Sequence, residues 1–245
     1  MNPISRYGST ATTALCLMMA FELHAQQPAK SFVVAERSLN LEIPDLDPSG
    51  LVRNVVVSGL EKGLTYELIV RLVVESTGFG AYNGDYYAYL LHETPDGAQS
   101  QMTVLLNRVG RSEAMPSGYG ESGFNITLSD SASWDVHNYQ VALGGVFDGP
   151  LTGTWQPDGR RVHPTVSLDT SPRTTSLEPL GNLDPNGSWT LFIADMEAGG
   201  TGRLVEWEVR ATPWSAIPEP RTVGLAFAGF LALGWGWRRR GGPIR

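Results

Sequence analysis

Between residues 64 and 75 polar and apolar side chains alternate: Tyr66, Leu68, Val70, Leu72 and Val74 share one face, while Thr65, Glu67, Arg71 and Glu75 share the other. A period of two is the spacing of a strand half-buried in an antiparallel sheet, not of an amphipathic helix. The alternation recurs at Met102, Val104 and Leu106, at Phe124, Ile126 and Leu128, at Trp189, Leu191 and Ile193, and at Val205, Trp207 and Val209. No stretch from 30 to 212 sustains a helical repeat. Reversal-prone sequences lie between these runs, among them Asn83-Gly84-Asp85, Pro95-Asp96-Gly97, Pro157-Asp158-Gly159 and Gly199-Gly200-Thr201-Gly202. The expected fold is all-β, a jelly-roll β-sandwich of about eight strands. Residues 131–182 scatter Trp134, Tyr139, Phe147 and Trp155 without a period, and are expected to form long loops with one or two short strands.

The two ends depart from this pattern. Arg6 precedes an uncharged stretch over 7–21 and small Ala25 follows, the form of a secretory signal peptide over 1–25. Residues 26–39 are then an N-terminal extension or first strand, ahead of a sandwich over 40–212. Cys16, the only cysteine, falls in the signal segment, so the exported body would fold without disulfides. At the other end a linker, 213–221, holds Pro218-Glu219-Pro220. An uncharged run over 222–237 and a basic tail over 238–245 with Arg238, Arg239 and Arg240 follow. The run would make about 24 Å of helix, near enough to a hydrocarbon core of about 30 Å for flanking tryptophans and arginines to complete a transmembrane span. Arginines after the span hold the tail in the cytoplasm and leave the body outside. That body, 26–217, carries 12 basic and 23 acidic side chains, net −11. Such a surface repels phosphate and excludes nucleic acid as a partner.

Pro-Glu-Pro, an apolar span and an arginine cluster resemble the PEP-CTERM sorting signal of Gram-negative bacteria. The resemblance implies processing by an exosortase at the inner membrane, then passage to the cell surface or extracellular matrix. The body resembles the P domain, or Homo B domain. Ile43-Pro44-Asp45, Gly84-Asp85-Tyr86, Thr94-Pro95-Asp96-Gly97 and Phe124-Asn125-Ile126-Thr127 follow its order of motifs. The most specific block is Gly187-Ser188-Trp189-Thr190-Leu191-Phe192-Ile193-Ala194-Asp195, then Gly202 and Trp207. The resemblance implies an eight-stranded jelly roll in which Gly187, Trp189, Asp195, Gly202 and Trp207 are structural. It also implies the company of subtilisin-like serine endopeptidases, which this domain stabilises.

No catalytic residue is assigned and no enzymatic activity is expected, because nucleophile segments of the Gly-Thr-Ser or Gly-x-Ser-x-Gly type are absent from the sequence. His92, His137 and His163 are taken as surface or loop histidines. No cofactor is required. Calcium is the one ion that the acidic turns suit, with Asp45, Asp47 and Asp130 as candidate ligands. The competing reading is that these carboxylates cap backbone N–H groups in their turns. Tyr86 and Tyr119 are candidates for a binding surface, against the alternative that they fill the core. The expected function is that of an exported, non-catalytic binding or stabilising module. Its expected partners, besides the exosortase, are an exopolysaccharide or a serine protease.

Overall fold

The computed structural model describes residues 30–214 apart from position 79. The strongest alternating runs form β4 (Tyr66–Thr77), β7 (Phe124–Ser129), β9 (Gly187–Asp195) and β10 (Thr201–Pro213). Six further strands are β1 (Phe32–Glu36), β2 (Leu41–Ile43), β3 (Leu51–Val57), β5 (Tyr86–Glu93), β6 (Ser100–Asn107) and β8 (Leu151–Trp155). Two single-turn helices, α1 (Tyr139–Leu143) and α2 (Glu178–Gly181), and three short 3-10 turns at Asn83–Asp85, Val136–Asn138 and Pro164–Val166 complete the described elements.

The ten strands make two sheets. One runs β1-β10-β4-β7-β8, with β2 also on β10; the other runs β3-β9-β5-β6. All pairings are antiparallel except β7 with β8. The inner rows of both sheets share one core. Leu72, Phe124, Ile126 and Trp207 come from the first sheet, and Leu90, Trp189, Leu191 and Ile193 from the second. Burying a side chain of this size contributes about 1.5–3 kcal/mol, which is how a body without cysteine holds together. One open side is closed by charge: Arg53 on β3 forms a two-pronged pair with Glu36 on β1, and Glu36 also accepts from Trp207 Nε1 at 2.8 Å.

Two bulges change the facing expected from simple alternation. Between Leu204 and Glu206 the register shifts, so Leu204 is fully buried and Val205 is the extra, half-buried residue. Between Ala88 and Tyr89 the shift leaves Leu105 unpaired on β6. Leu106 then faces the core beside Ala88, while Met102 and Val104 stand opposite Leu91 and Tyr89 on the outer row. A bulge inserts one residue and so inverts the parity that a period-two reading relies on.

The expected count of about eight strands is exceeded by two. The aperiodic segment supplies β8, whose Leu-Thr-Gly-Thr-Trp sequence buries only its ends, Leu151 and Trp155. Two of its scattered aromatics, Phe147 and Trp155, pack against buried Tyr139 with ring centroids 5.9 and 6.3 Å away, while Trp134 is exposed. No described helix is long and apolar enough to cross a membrane. The signal segment 1–25, the Pro218-Glu219-Pro220 motif, the run 222–237 and Arg238, Arg239 and Arg240 lie outside the described residues.

Candidate functional site

The outer row of the second sheet carries an aromatic platform. On β5, Tyr87 and Tyr89 alternate with the core residues Tyr86, Ala88 and Leu90; on β9, Phe192 stands between the buried Leu191 and Ile193. Tyr89 pairs with Phe192 across the strands, and their rings stack at 4.8 Å and 13°. Tyr87 leans on both, at 5.9 and 6.1 Å. The loop over 161–164 and Pro48 rise beside them, and together with Met102 and Met196 they enclose a cleft of about 390 Å³. Exposed Arg161 and His163 supply polar groups at its rim. Partial burial raises the Tyr87 pKa, so its hydroxyl stays protonated and available for hydrogen bonding. Flat apolar rings with hydroxyls at the edge suit a ligand that has an apolar face and polar margins.

A second site lies at one end of the sandwich. Asp195 is the register partner of Tyr86, so it points inward at the end of β9. Its Oδ1 accepts from Glu197 N at 3.2 Å, while its buried Oδ2 has no partner. Asp85 is held beside it through its own carbonyl, which accepts from Met196 N at 2.8 Å. Asp45 reaches over the same turn, accepting from Gly199 N at 3.2 Å. Burial, and then the neighbouring carboxylates, push Asp85 up to about 6 and Asp195 up to about 7, against the opposing pull of Arg108. Arg108 is itself committed to the Gly84 carbonyl at 2.5 Å and to Glu197 at 3.0 Å. Among the described residues no group of three or more His, Cys, Asp or Glu side chains is placed to hold a metal ion.

The histidines do not stand where they were expected. His92 and His137 are fully buried; only His163 is exposed. His137 Nδ1 faces Asp158 Oδ2 at 2.7 Å, the arrangement of a base and its orienting acid, but Nε2 meets the Arg111 carbonyl at 3.0 Å instead of a nucleophile. Asp158 also accepts from Arg160 and from Asn107 N, which makes the pair part of a buried network tying the aperiodic segment to β6. His92 stacks on Trp189 at 3.9 Å and 11°, with its two nitrogens facing the carbonyls of Ser188 and Asp184.

The candidate surface of Tyr86 and Tyr119 is corrected. Tyr86 is fully buried and Tyr119 is 6% exposed. Tyr86 follows the inward parity of β5 and packs on Phe124. Tyr119 lies over Gly110, where any Cβ would strike its ring, and packs on Tyr139 at 4.7 Å. The candidate ligands Asp45, Asp47 and Asp130 do not come together as one set. Asp47 caps its own turn through Ser49 N at 2.9 Å, and Asp130 caps α2 through Leu177 N and Glu178 N at 3.0 and 2.8 Å. The other motif residues sit at structural positions. Trp189 and Trp207 are buried, Gly187 adopts φ +115° where a Cβ would strike the Glu93 carbonyl, and a Cβ on Gly202 would strike Tyr86 Oη.

Sequence reasoning passed over Phe192. Its signal was an aromatic in the row otherwise held by Ser188 and Thr190.

Neither a family model nor a curated protein matches this chain. Among solved structures, it is similar to a chain in the crystal structure of the complex of Aeromonas sobria serine protease and the chaperone. That similarity has 15% identity and a TM-score of 0.38, and covers 78% of this chain but 28% of the other.

Proposed function

We propose that this protein is an exported, non-catalytic binding module of the P-domain type, and that it engages an extracellular polysaccharide on the outer face of the four-stranded sheet. The observation that carries this reading is the Tyr87, Tyr89 and Phe192 platform in its cleft. The apolar face of a sugar ring would lie on the stacked rings, with Arg161 and His163 meeting its hydroxyls. The jelly-roll assignment is supported by strand order, since β1-β10-β4-β7 facing β3-β9-β5-β6 gives two layers of four, with β2 and β8 as additions.

Export rests on the sequence: a signal peptide, a Pro-Glu-Pro motif read by an exosortase, one apolar span and a basic tail. Replacing Pro218, Glu219 and Pro220 by alanine is expected to leave uncut protein in the inner membrane; unchanged release would remove the sorting role. Ligand engagement is tested by binding to purified exopolysaccharide. Tyr89→Ala and Phe192→Ala are each expected to weaken it about tenfold, while far-ultraviolet circular dichroism is unchanged. Undiminished binding in both variants would end the assignment.

A second reading, an accessory module of a subtilisin-like serine endopeptidase, is favoured by Val52 and Val56. These stand 55% and 73% exposed on edge strand β3, beside the platform. Co-purification with such a protease, together with no affinity for polysaccharide, would select it.

A further inference from the structure

We infer, on the footing of the polysaccharide reading, that the cleft beside the platform takes an acidic sugar, a uronic-acid residue whose carboxylate is received by Arg161. The first observation is the make-up of the cleft. The body carries 23 acidic and 12 basic side chains, yet no carboxylate is among the described residues that line the cleft, whereas Arg161 and His163 both are. The second is that the Arg161 cation is unclaimed. Arg161 is exposed, and its guanidinium has no hydrogen bond or ion pair among the described residues. Every other arginine there bonds through its guanidinium to a carboxylate or a carbonyl oxygen. The third is that the loop carrying Arg161 is fixed. Buried Asn107 Nδ2, at the end of β6, donates to the carbonyls of Arg160 and Val162 at 2.8 and 3.0 Å, and Arg111 Nη1 donates to the Pro164 carbonyl at 2.6 Å. The backbone on both sides of Arg161 is tied down while its side chain is left to bind.

A guanidinium is a planar fork of N–H donors with no acceptor, and a carboxylate meets it through two parallel hydrogen bonds. Sugar hydroxyls fit that fork less well and leave its charge unanswered. His163 adds a second donor: its Nδ1 accepts from Thr165 N at 3.3 Å, which leaves Nε2 carrying the ring proton. When a pyranose ring lies flat on Tyr89 and Phe192, an equatorial carboxylate projects sideways from its edge, toward the rim of the cleft and not into the rings. The net negative charge of the body does not prevent this contact. At about 0.15 M salt, charges more than about 8 Å apart are largely screened, so a guanidinium in contact outweighs distant acids.

The test titrates the full chain calorimetrically, at about pH 7 and about 0.15 M salt, with two ligands of one backbone. One is a β-1,4-linked glucuronate hexasaccharide; the other is cellohexaose, which differs from it only in a hydroxymethyl group in place of each carboxylate. The uronate should bind about tenfold more tightly. Arg161→Gln should reduce that ratio to about one, and Arg161→Lys, which keeps the charge and loses the fork, should restore only part of it. Arg71→Gln, an equal loss of charge on the six-stranded sheet, should leave the ratio at about ten. Phe192→Ala should weaken both ligands, because stacking on the platform is common to them. Equal affinity for the two ligands in the wild type, with both weakened by Phe192→Ala, would overturn the uronate assignment and leave the polysaccharide reading standing. A preference for the uronate that survives in Arg161→Gln would overturn the assignment to Arg161. Binding of neither hexasaccharide would end both readings.

Discussion

The outer faces of the two sheets are made from similar strands and treat their exposed positions in opposite ways. On the six-stranded sheet Arg37 and Arg71 both reach Glu206, at 3.2 and 3.3 Å, while Glu208 pairs with Arg37 and with Arg210. Charges on neighbouring strands satisfy one another there. On the four-stranded sheet the corresponding positions hold Tyr87, Tyr89 and Phe192, whose rings pack on one another, and Met102, which lines the cleft beside them. The contrast teaches where to look for function. One face is dominated by its own ion pairs, and the other carries half-buried aromatic rings beside an open cleft.

The contrast can be broken first at the core that both faces share. Trp189 is buried on the inner row of β9 and stacks on His92, and Trp189→Ala is expected to cost about 3–5 kcal/mol in denaturant unfolding. Binding should be lost only in step with folding. If the variant keeps full stability, the common core is not what supports both faces. Next come substitutions on the faces themselves. Phe192→Ala combined with Tyr89→Ala should remove most polysaccharide affinity, while Arg71→Ala combined with Glu206→Ala should leave affinity within about twofold and stability within about 1 kcal/mol. Equal losses from the two pairs would erase the distinction.

The smallest effect sharpens the comparison at the seam between the sheets. The Arg53 guanidinium, helped by Trp207, holds the Glu36 carboxyl below its ordinary value against the opposing effect of burial. A carboxyl whose folded pKa is depressed stabilises the fold above its unfolded value and loses that contribution as pH falls through the folded one. Acid unfolding should therefore show a contribution of about 1 kcal/mol from Glu36, present at pH 6 and gone at pH 2. Glu36→Gln should remove that pH dependence, as measured by urea midpoints at both values.

The sequence made the strands legible wherever one face is buried without interruption: β4, β7 and β9 follow their alternation over 66–72, 124–128 and 187–193. Legibility failed at the bulges, because one inserted residue at Leu105 or Val205 reverses which positions face inward and leaves no mark in composition. It failed again over 131–182, where order comes from buried polar pairs such as His137 with Asp158, and such pairing has no period. The platform was half legible. Tyr87 and Tyr89 follow Gly84-Asp85-Tyr86 directly in the sequence, but separating them from Tyr86 requires the parity of β5. Asp195 closes the most specific motif block, yet the unpartnered state of its Oδ2 depends on the pairing between β5 and β9, which the sequence does not display.

The central claim is that ligand binds the outer face of the four-stranded sheet. Its most direct test follows the aromatic ring resonances of the protein while an oligosaccharide prepared from the extracellular matrix is added. The account predicts saturable shifts confined to Tyr87, Tyr89 and Phe192, with the buried rings of Tyr86, Tyr119 and Tyr139 unmoved. Saturable shifts on the six-stranded sheet with a silent platform would contradict it.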